Sequence, residues 1–480
     1  MKMYKPTIGL EIHAELNTKT KMFCNSKNDP DEVRPNVNIC PVCMGHPGTL
    51  PVINKQAVKS VLKVGLALNG TISSFTEFDR KNYFYPDIPK GYQISQYKYP
   101  LVAGGELSGI KITRVHLEED TATSQHPEKS TDLGASEQFS LVNYNRAGVP
   151  LMELVTEPVI HSAEEASSFA KEFQLLLRYL GVAEANMEKG EMRVEANISI
   201  SDTDTFGTKT EIKNLNSFKV VEKAIAYEIK RQTEILEKGE KVVQETRGWD
   251  DVKSVTYSQR LKESSHDYRY FPDPDLPKLD ISKVPEFSVE ILKKELPELP
   301  WQRRARYQKL GEGSQFKMNP DYVEMFIADE RFGSLFDETL LLQNGAYNMI
   351  ANFINTDIAG LVSKHGDTGL KNITPKGLEA VVINYTGGSL SSRGAKDAIE
   401  EVFTKGGDLT EVSKKYFQKS DDGELTKIAQ SLIAENPKVV EDYRAGKAAS
   451  LQFLVGQGMK ATKGSANPAK LRTIIESLIK

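Results

Sequence analysis

Two stretches of the sequence alternate strictly between apolar and polar residues. In residues 7–16 the apolar side chains fall on the even positions, and Glu11, His13 and Glu15 fall on the odd positions. Residues 192–200 repeat this pattern. A two-residue period is that of a β-strand whose two faces meet different surroundings. The sequence therefore predicts an antiparallel sheet with one packed face and one polar, open face.

Two amphipathic helices are predicted to pack behind this sheet. Ser162 and Glu165 form a capping box at the start of the first helix, and Gly181 supplies its stop. The second helix begins near Ser217 and has an apolar stripe along one side. Strands with an open polar face and helices behind them predict an α+β domain.

The remainder of the chain is predicted to be almost wholly helical. Proline-rich passages at 273–277 and 296–300 are typical of a domain boundary, and a further break falls near 386–388 or 405–407. The predicted fold class is α+β, with a mixed or antiparallel sheet domain followed by all-α domains. The predicted bounds are 1–292 for the sheet domain, 293–405 for a helical domain and 406–480 for a helical tail domain.

Length and charge limit the possible functions. At roughly 150 residues per domain, 480 residues suggest about three domains. The 62 basic and 66 acidic residues give a net charge of −4, which argues against a protein that coats nucleic acid by bulk attraction. Because the chain has neither a run of about 18 apolar residues nor a signal-like start, we predict a cytoplasmic protein without a membrane span.

Three cysteines lie close together in the sequence. Cys24, Cys40 and Cys43 fall within one short stretch, and the last two have the C-x2-C spacing that lets two thiolates bind one zinc ion. A structural zinc site takes four ligands, and His46 is the nearest additional candidate. The pattern leaves two alternatives open, a zinc site with an incomplete ligand set and three buried cysteines without metal.

Carboxylates recur on the polar faces of the predicted strands. They are accompanied by His13 and include Glu11, Glu118, Glu153 and Glu195. Gathered carboxylates repel one another unless a cation neutralises them, and oxygen ligands suit Mg²⁺. Such a face suits metal-assisted phosphoryl chemistry. The commoner alternative, a polar face that only meets water, stays open on the pattern alone.

Loops rich in aromatic and charged residues offer a second kind of candidate site. Residues 79–87, 145–153 and 267–272 each combine proline with charged side chains, and two of them are rich in aromatic residues. These loops could provide stacking platforms for RNA or ordered walls of a pocket. The simpler alternative is a tight loop anchored by its own aromatic rings. The phosphate-binding loop and the dinucleotide fingerprint are both absent from the sequence.

Eight longer strings give a resemblance to a known family. The chain resembles the B subunit of the bacterial-type tRNA-dependent amidotransferases that make Gln-tRNA(Gln) and Asn-tRNA(Asn). The match runs from one end of the sequence to the other, in the family's order. The matching strings are IGLEIHAEL, CPVCMGHPGTLPVIN, DRKNYFYPDIPKGYQISQ, HLEEDTA, YNRAGVPLMELVTEP, KTEIKNLNSF, HDYRYFPDPDLP and LVGQGMKATKGSANP.

The resemblance implies a fold and an activity. It implies a cradle domain, a helical domain and a tail domain that contacts tRNA, in a heterotrimer whose other members are the amidase (A) and small (C) subunits. ATP and Mg²⁺ would activate the side-chain carboxylate of Glu-tRNA(Gln) or Asp-tRNA(Asn). Ammonia released by the amidase would reach the cradle through a channel and form the amide. The alternative is a non-catalytic scaffold that only binds tRNA.

The resemblance also implies roles for particular residues. The metal ligands would be His13, Glu118 and Glu153, with Glu11, Glu195 and Arg193 as further catalytic candidates. Lys81 and Tyr83 would lie near the ammonia path, and Lys460 and Lys463 would contact tRNA.

The sequence departs from the family pattern at three places. Zinc-bearing members have C-x-C where this chain has Cys24-Asn25-Ser26, which leaves one sulfur. Asn143 stands where the family usually has aspartate, and residues 123–137 are longer than usual. The first departure bears directly on whether a fourth zinc ligand exists.

Overall fold

The computed structural model divides the chain into two compact units, Met1–Pro300 and Trp301–Lys480. It describes residues 4–125, 140–261, 268–312, 317–418, 422–462 and 466–479. The first unit is a sheet domain and the second is helical, so the predicted α+β class is confirmed. No helix among the described residues is long and apolar enough to cross a membrane.

In the described part of the chain, the strands all lie in the first unit. In chain order they are β1 (Lys5–Glu15), β2 (Thr71–Ile72), β3 (Phe75–Thr76), β4 (Asp79–Asn82), β5 (Tyr92–Ser95), β6 (Val102–Ala103), β7 (Glu106–Leu107), β8 (Ile110–Glu119), β9 (Thr123–Gln125), β10 (Leu141–Asn143), β11 (Pro150–Thr156), β12 (Met192–Ser201), β13 (Thr210–Leu215), β14 (Glu245–Asp250), β15 (Val255–Leu261), β16 (Phe271–Pro272) and β17 (Leu279–Asp280). The two alternating stretches of the sequence are β1 and β12, as predicted.

A ten-stranded sheet forms the body of this unit. Its order is β15-β14-β13-β12-β1-β11-β8-β6-β2, with β7 paired to β8. Neighbouring strands are antiparallel except for the parallel pair β13 and β14. A separate three-stranded sheet has the order β16-β4-β5. Two long strands, β1 and β12, therefore pair with each other at the middle of the sheet.

Among its described residues, the first unit has four α-helices: α1 (Lys55–Ala67), α2 (Ala163–Tyr179), α3 (Phe218–Glu237) and α4 (Val289–Glu295). The Ser162 side chain accepts a hydrogen bond from the backbone N of Glu165, and Ser217 caps α3 in the same way through Val220. Both helix starts were predicted. Helices α2 and α3 pack on each other and on the sheet, where they cover the apolar side chains of β1 and β12. The opposite face of these strands carries the polar side chains.

The second unit is built from helices. They are α5 (Pro300–Gln308), α6 (Pro320–Ala328), α7 (Glu330–Leu342), α8 (Tyr347–Asn352), α9 (Ala359–His365), α10 (Pro375–Thr386), α11 (Ser392–Lys405), α12 (Leu409–Lys414), α13 (Asp422–Glu435), α14 (Pro437–Arg444), α15 (Ala448–Ala461) and α16 (Pro468–Ile479). A π-helical segment, Phe353–Ile358, joins α8 to α9. Helix α12 packs on α10 and α11, whereas α13 to α16 share a core of their own. The predicted three-domain division stays a prediction.

Candidate active site

One row of side chains crosses four strands on the polar face of the sheet. His13 on β1 lies opposite Arg193 on β12 and opposite Glu153 on β11, and Glu153 lies opposite His116 on β8. The strand register therefore places four side chains from distant parts of the sequence side by side.

Three more acidic residues flank this row. Glu195 on β12 lies opposite Glu11 on β1, one pleat repeat from the Arg193–His13 pair. Glu118 lies on β8 two residues beyond His116, and so on the same face. These residues line one polar cavity of about 390 Å³, together with Lys81, Tyr83, Asp120 and Glu211. The cavity thus holds every catalytic and metal-binding candidate that the sequence named on the sheet.

His13, Glu118 and Glu153 form a compact group of potential metal ligands. One ligand atom from each lies within 4.8 Å of the others. His13 Nε2 is 3.4 Å from Glu153 Oε2 and 3.8 Å from Glu118 Oε1. Glu118 Oε2 is buried and accepts no hydrogen bond from any residue that the structure describes. Since a buried carboxylate oxygen needs a partner, this orphaned atom makes the group a good fit for a divalent cation.

Electrostatics tie the members of this group together. Burial opposes protonation of His13, but the hydrogen bond and charge of Glu153 outweigh it and raise the pKa of the His13 ring to about 9. Burial likewise opposes ionisation of Glu153, and the neighbouring His116 and His13 rings nevertheless hold its pKa well below the usual range. The Glu153 carboxylate is therefore ionised, whereas His13 would have to release its proton to bind a cation.

His116 was not predicted as a site residue, yet it belongs to this group. Its ring is buried, with Nε2 3.3 Å from Glu153 Oε2 and 3.9 Å from Glu118 Oε2. The sequence contained a signal for it, because His116 shares the alternating face of Glu118. The role of His116 depends on Glu153, its partner on the neighbouring strand, and only the strand pairing in the structure shows that the two residues lie opposite each other.

A second acidic group lies on the other side of the row. Ligand atoms of Glu11, Glu195 and Glu211 lie within 4.8 Å of one another. Lys213 Nζ donates to Glu195 Oε2 at 2.8 Å, and Asn197 Nδ2 donates to Glu11 Oε1 at 2.8 Å. Burial, followed by the nearby carboxylates, raises the pKa of Glu11. Glu211 is a further member that the sequence had not singled out.

The predicted ammonia-path residues stand in an aromatic wall of the same cavity. Lys81 Nζ lies 5.0 Å from the centre of the Tyr268 ring and 5.8 Å from that of Tyr83. Burial by itself would lower the pKa of Lys81, but the Glu118 carboxylate raises it above the usual value. Lys81 is thus a half-buried cation that faces the metal-ligand group.

Strand β4, which contains Lys81, is held by the segment that leads into β16. Arg80 Nε donates to Asp273 Oδ2 at 2.9 Å, and Asn82 Nδ2 donates to the carbonyl of Arg269 at 3.0 Å. Of the two roles suggested for the aromatic segments 79–87 and 267–272, the structure supports that of ordered pocket walls. Residue 267, the first of segment 267–272, lies outside the described residues.

The three cysteines also converge. Their sulfur atoms lie within 4.8 Å of one another, and Cys24 and Cys43 line a cavity of about 250 Å³ with His46, which is not part of the sulfur group. The fully buried Lys21 places its Nζ 3.8 Å from Cys43 Sγ. A hydrogen bond from Cys24 outweighs burial and, helped by Lys21, lowers the pKa of Cys43 to about 4.

Ser26 stands beside the sulfur group. Its Oγ is 3.9 Å from Cys43 Sγ, so the position where zinc-bearing relatives would supply a second early sulfur is filled by a hydroxyl. Three thiols in this arrangement fit three corners of a tetrahedral zinc site. Zinc binding therefore stays a prediction that needs a fourth ligand from outside this group.

The departure at Asn143 has a structural explanation. Asn143 Oδ1 accepts hydrogen bonds from the backbone N of Asn36 and of Asn145, both at 3.1 Å. A carboxylate oxygen would accept the same two bonds, so asparagine here preserves the loop contact. In the long stretch that follows Thr123, residues 126–139 lie outside the described part of the chain.

The predicted tRNA-binding lysines lie at the end of α15. Lys460 is exposed on the last turn of that helix. Lys463 lies outside the described residues. The structure brings no acidic partner to Lys460 among the hydrogen bonds and ion pairs of the described residues, and its role stays a prediction.

Comparison with known proteins identifies the class and then the family. A family model of the GatB/GatE catalytic domain matches residues 6–285, and one of the GatB domain matches residues 334–479. The fold and site thus define a GatB/GatE-type catalytic domain followed by a helical GatB region. Relatives named as the B subunit of aspartyl/glutamyl-tRNA(Asn/Gln) amidotransferase occur in Gloeothece citriformis (42% identical, 98% of this chain, 97% of theirs), Persephonella marina (42%, 99%, 100%) and Brevibacillus brevis (41%, 100%, 99%).

The chain belongs to the family of aspartyl/glutamyl-tRNA(Asn/Gln) amidotransferase B subunits. The family and the enzyme class predicted from the sequence, a subunit of an amide-forming amidotransferase, are both confirmed.

Proposed function

We propose that this chain activates and amidates the side-chain carboxylate of Glu-tRNA(Gln) or Asp-tRNA(Asn). ATP transfers its γ-phosphoryl group to that carboxylate and leaves as ADP, and ammonia then displaces phosphate to form the amide. The observation that supports this best is the convergence of His13, Glu118 and Glu153 on one polar cavity. A protein that only binds tRNA has no use for a buried, orphaned carboxylate oxygen.

His13, Glu118 and Glu153 are the residues that hold Mg²⁺. When bound, Mg²⁺ neutralises charge on the phosphate oxygens during phosphoryl transfer. The planar fork of Arg193, next to His13 in the strand register, orients a phosphate or the substrate carboxylate. Glu11 and Glu195 are the neighbouring acidic residues of the same catalytic face.

The ammonia comes from a partner. The amidase (A) subunit releases it from glutamine, and a small (C) subunit is the third member of a heterotrimer in the cytoplasm. Lys81 and Tyr83, which line the same cavity as the metal-ligand group, form the last part of the ammonia path.

The tail binds tRNA through Lys460 and Lys463. Contacts between lysine and phosphate are not sequence-specific, so they place the tRNA rather than select it. Selection of the misacylated tRNA therefore depends on the aminoacyl group that enters the cavity.

Cys24, Cys40 and Cys43 are the residues that would hold a zinc ion, and a fourth ligand would have to come from outside this group. When bound, zinc would tie together the loops that contain the three cysteines.

One comparison of variants tests the catalytic assignment. The chain is assembled with its two partner proteins and given glutamine, ATP, Mg²⁺ and Glu-tRNA(Gln). We expect Glu153→Gln to abolish amide formation and to leave the Kd for tRNA unchanged, because the substitution keeps the side chain's shape but removes its charge. Glu157→Gln is the matched control: Glu157 follows the same strand, and its carboxylate accepts a hydrogen bond from Thr113 at 2.7 Å, outside the cavity.

The alternative function, a tRNA-binding scaffold, makes the opposite prediction. If the polar face is merely solvated, Glu153→Gln and Glu157→Gln will support amide formation at the same rate. That result would reject the metal-site assignment.

A further inference from the structure

Asp120 is a buried carboxylate that joins two arginines, and neither the sequence nor the family comparison assigned it a role. It follows directly after β8 and lies at the edge of the polar cavity. Arg193 Nη2 donates to both of its carboxylate oxygens, at 3.1 and 3.2 Å. From the other side, Arg146 approaches it with Nε 3.0 Å from Oδ2. The side chain of Asp120 is only 2% exposed.

The Asp120 carboxylate is fixed in place from several directions. The backbone N of Thr121 donates to Oδ1 at 2.8 Å. Two backbone bonds, from Asp120 N to the carbonyl of Val149 and from Gly148 N to the carbonyl of Asp120, tie its main chain to the loop before β11. Gly148 has a φ of 85°, a conformation that other residues rarely adopt. The acceptor for Arg193 is therefore held by strand and loop together.

Opposite charges meet in this cluster. The Asp120 carboxylate lies between the guanidinium groups of Arg193 and Arg146. Glu15 is the fourth member, with Oε1 3.6 Å from Arg146 Nε.

The two arginines face different surroundings. Arg193 lines the polar cavity beside His13, whereas Arg146 lines a neighbouring cavity. Both hydrogen bonds from Arg193 to Asp120 use Nη2, and its other two nitrogens make no bond to Asp120. Asp120 therefore fixes the position of Arg193 Nη2 and leaves Nε and Nη1 unused by this carboxylate.

We propose that Asp120 is a positioning residue. Held by Arg146 on one side, Asp120 fixes the Arg193 guanidinium so that it can bind an anionic group of a substrate. That group would lie beside the metal-ligand residues His13, Glu118 and Glu153. The anionic group is a phosphate of ATP or the carboxylate being activated. The inference rests on the proposed function, because it assigns Asp120 to the same reaction. It adds a residue that acts on the chemistry through Arg193 and not by contact with substrate.

The test measures kcat and KM in the assembled heterotrimer. Asp120→Asn keeps the size of the side chain but halves its acceptor capacity and removes its charge. We expect kcat to fall about 10- to 100-fold, because a catalytic group displaced by about 1 Å costs rate on that scale. Parallel titrations of ATP and of Glu-tRNA(Gln) show which anion Arg193 serves, because the KM for that substrate should rise while the KM for the other substrate stays near the wild-type value.

A double-mutant cycle tests whether Asp120 acts through Arg193. The variants are Asp120→Asn, Arg193→Lys and the two combined. We expect the double variant to be no slower than Arg193→Lys alone, because the positioning residue then has nothing to position. If the two losses multiply instead, Asp120 does not act through Arg193 and the inference is overturned. Arg146→Lys weakens the contact that holds Asp120 in place but keeps Asp120 itself. If Asp120→Asn fails to fold, Arg146→Lys can be combined with Arg193→Lys in the same double-mutant cycle.

Asp337→Asn is the matched control. Asp337 also joins two arginines, with Oδ2 2.8 Å from Arg303 Nη2 and Oδ1 2.8 Å from Arg306 Nη1, but it lies in the helical unit. We expect it to lower Tm with kcat unchanged. If Asp120→Asn keeps the wild-type kcat while Glu153→Gln is inactive, Asp120 is not a positioning residue, and the proposed function is unaffected. Undiminished amide formation in Glu153→Gln would reject the proposed function itself.

Discussion

The buried ring of His116 should control how tightly the site binds a divalent cation. Its Nε2 is 3.3 Å from Glu153 Oε2, and its Nδ1 is buried without a hydrogen-bond partner among the described residues. The ring therefore makes its main polar interaction with the Glu153 carboxylate. A histidine that orients a metal-binding carboxylate acts on metal affinity without being a ligand itself.

The size of the effect follows from this one interaction. A hydrogen bond to a charged group is worth about 1.5–3 kcal/mol, and each 1.4 kcal/mol corresponds to about tenfold in Kd. We therefore expect His116→Leu to weaken binding of Mn²⁺, a spectroscopic substitute for Mg²⁺, by about 10- to 100-fold. Loss of the ring also lets the pKa of Glu153 rise, since His116 is the largest influence that holds it down against burial.

The assay is a Mn²⁺ titration of the purified chain, with unbound Mn²⁺ measured by electron paramagnetic resonance. His116→Gln keeps an N–H donor of similar reach, so it should lose less affinity than His116→Leu. His161→Gln is the control, because His161 bonds the Pro6 carbonyl through Nδ1 at 2.8 Å, outside the cavity. Equal Mn²⁺ affinity in wild type and His116→Leu would refute the reasoning.

Three further predictions concern other parts of the chain. Ser26→Cys places a fourth sulfur near Cys43 and should therefore lower the Kd for zinc. The Kd is measured by competition with a chromogenic chelator, and an unchanged value would contradict the predicted ligand geometry. Lys460→Gln should reduce the salt dependence of tRNA binding by about one unit of slope, and an identical slope would remove Lys460 from the interface. Burial opposes ionisation of Asp337, but Arg306 and Arg303 lower the pKa of its carboxyl group below the usual value. The ionised carboxylate therefore stabilises the fold at pH values above the unfolded-state pKa of about 4. This stabilisation is lost as the pH falls through the lower, folded-state pKa. In urea unfolding, wild type and Asp337→Asn should therefore differ at pH 7 and converge at low pH; a constant difference would contradict this assignment.

The sequence predicted the elements of this fold well because their signals are local. Alternation identified β1 and β12, and capping residues located the starts of α2 and α3 to within a residue. Each of these features depends on residues a few positions apart. The pairing order of the sheet was not predicted, since it depends on contacts between strands that are distant in sequence.

The same distinction explains which site residues were found. Glu118 and Glu153 were recognised from the strand pattern and the family strings. His116, Asp120 and Glu211 were missed as site residues, although the first two lie in the same string as Glu118. Polar residues on one strand face look alike in sequence, and the cross-strand partner is what separates a solvated side chain from one in a cluster.

The packing of the sheet makes this arrangement of partners robust. The side chains of Ile8, Leu10 and Ile12 on β1 are essentially fully buried, and they alternate with Glu11 and His13. A slip of one residue in the register would move the apolar set to the cavity and the charged set into the core. Burying a carboxylate without a partner costs several kcal/mol, so the hydrophobic face excludes that slip. The same apolar residues that stabilise the sheet therefore also fix which side chain faces Glu153 and which faces Arg193.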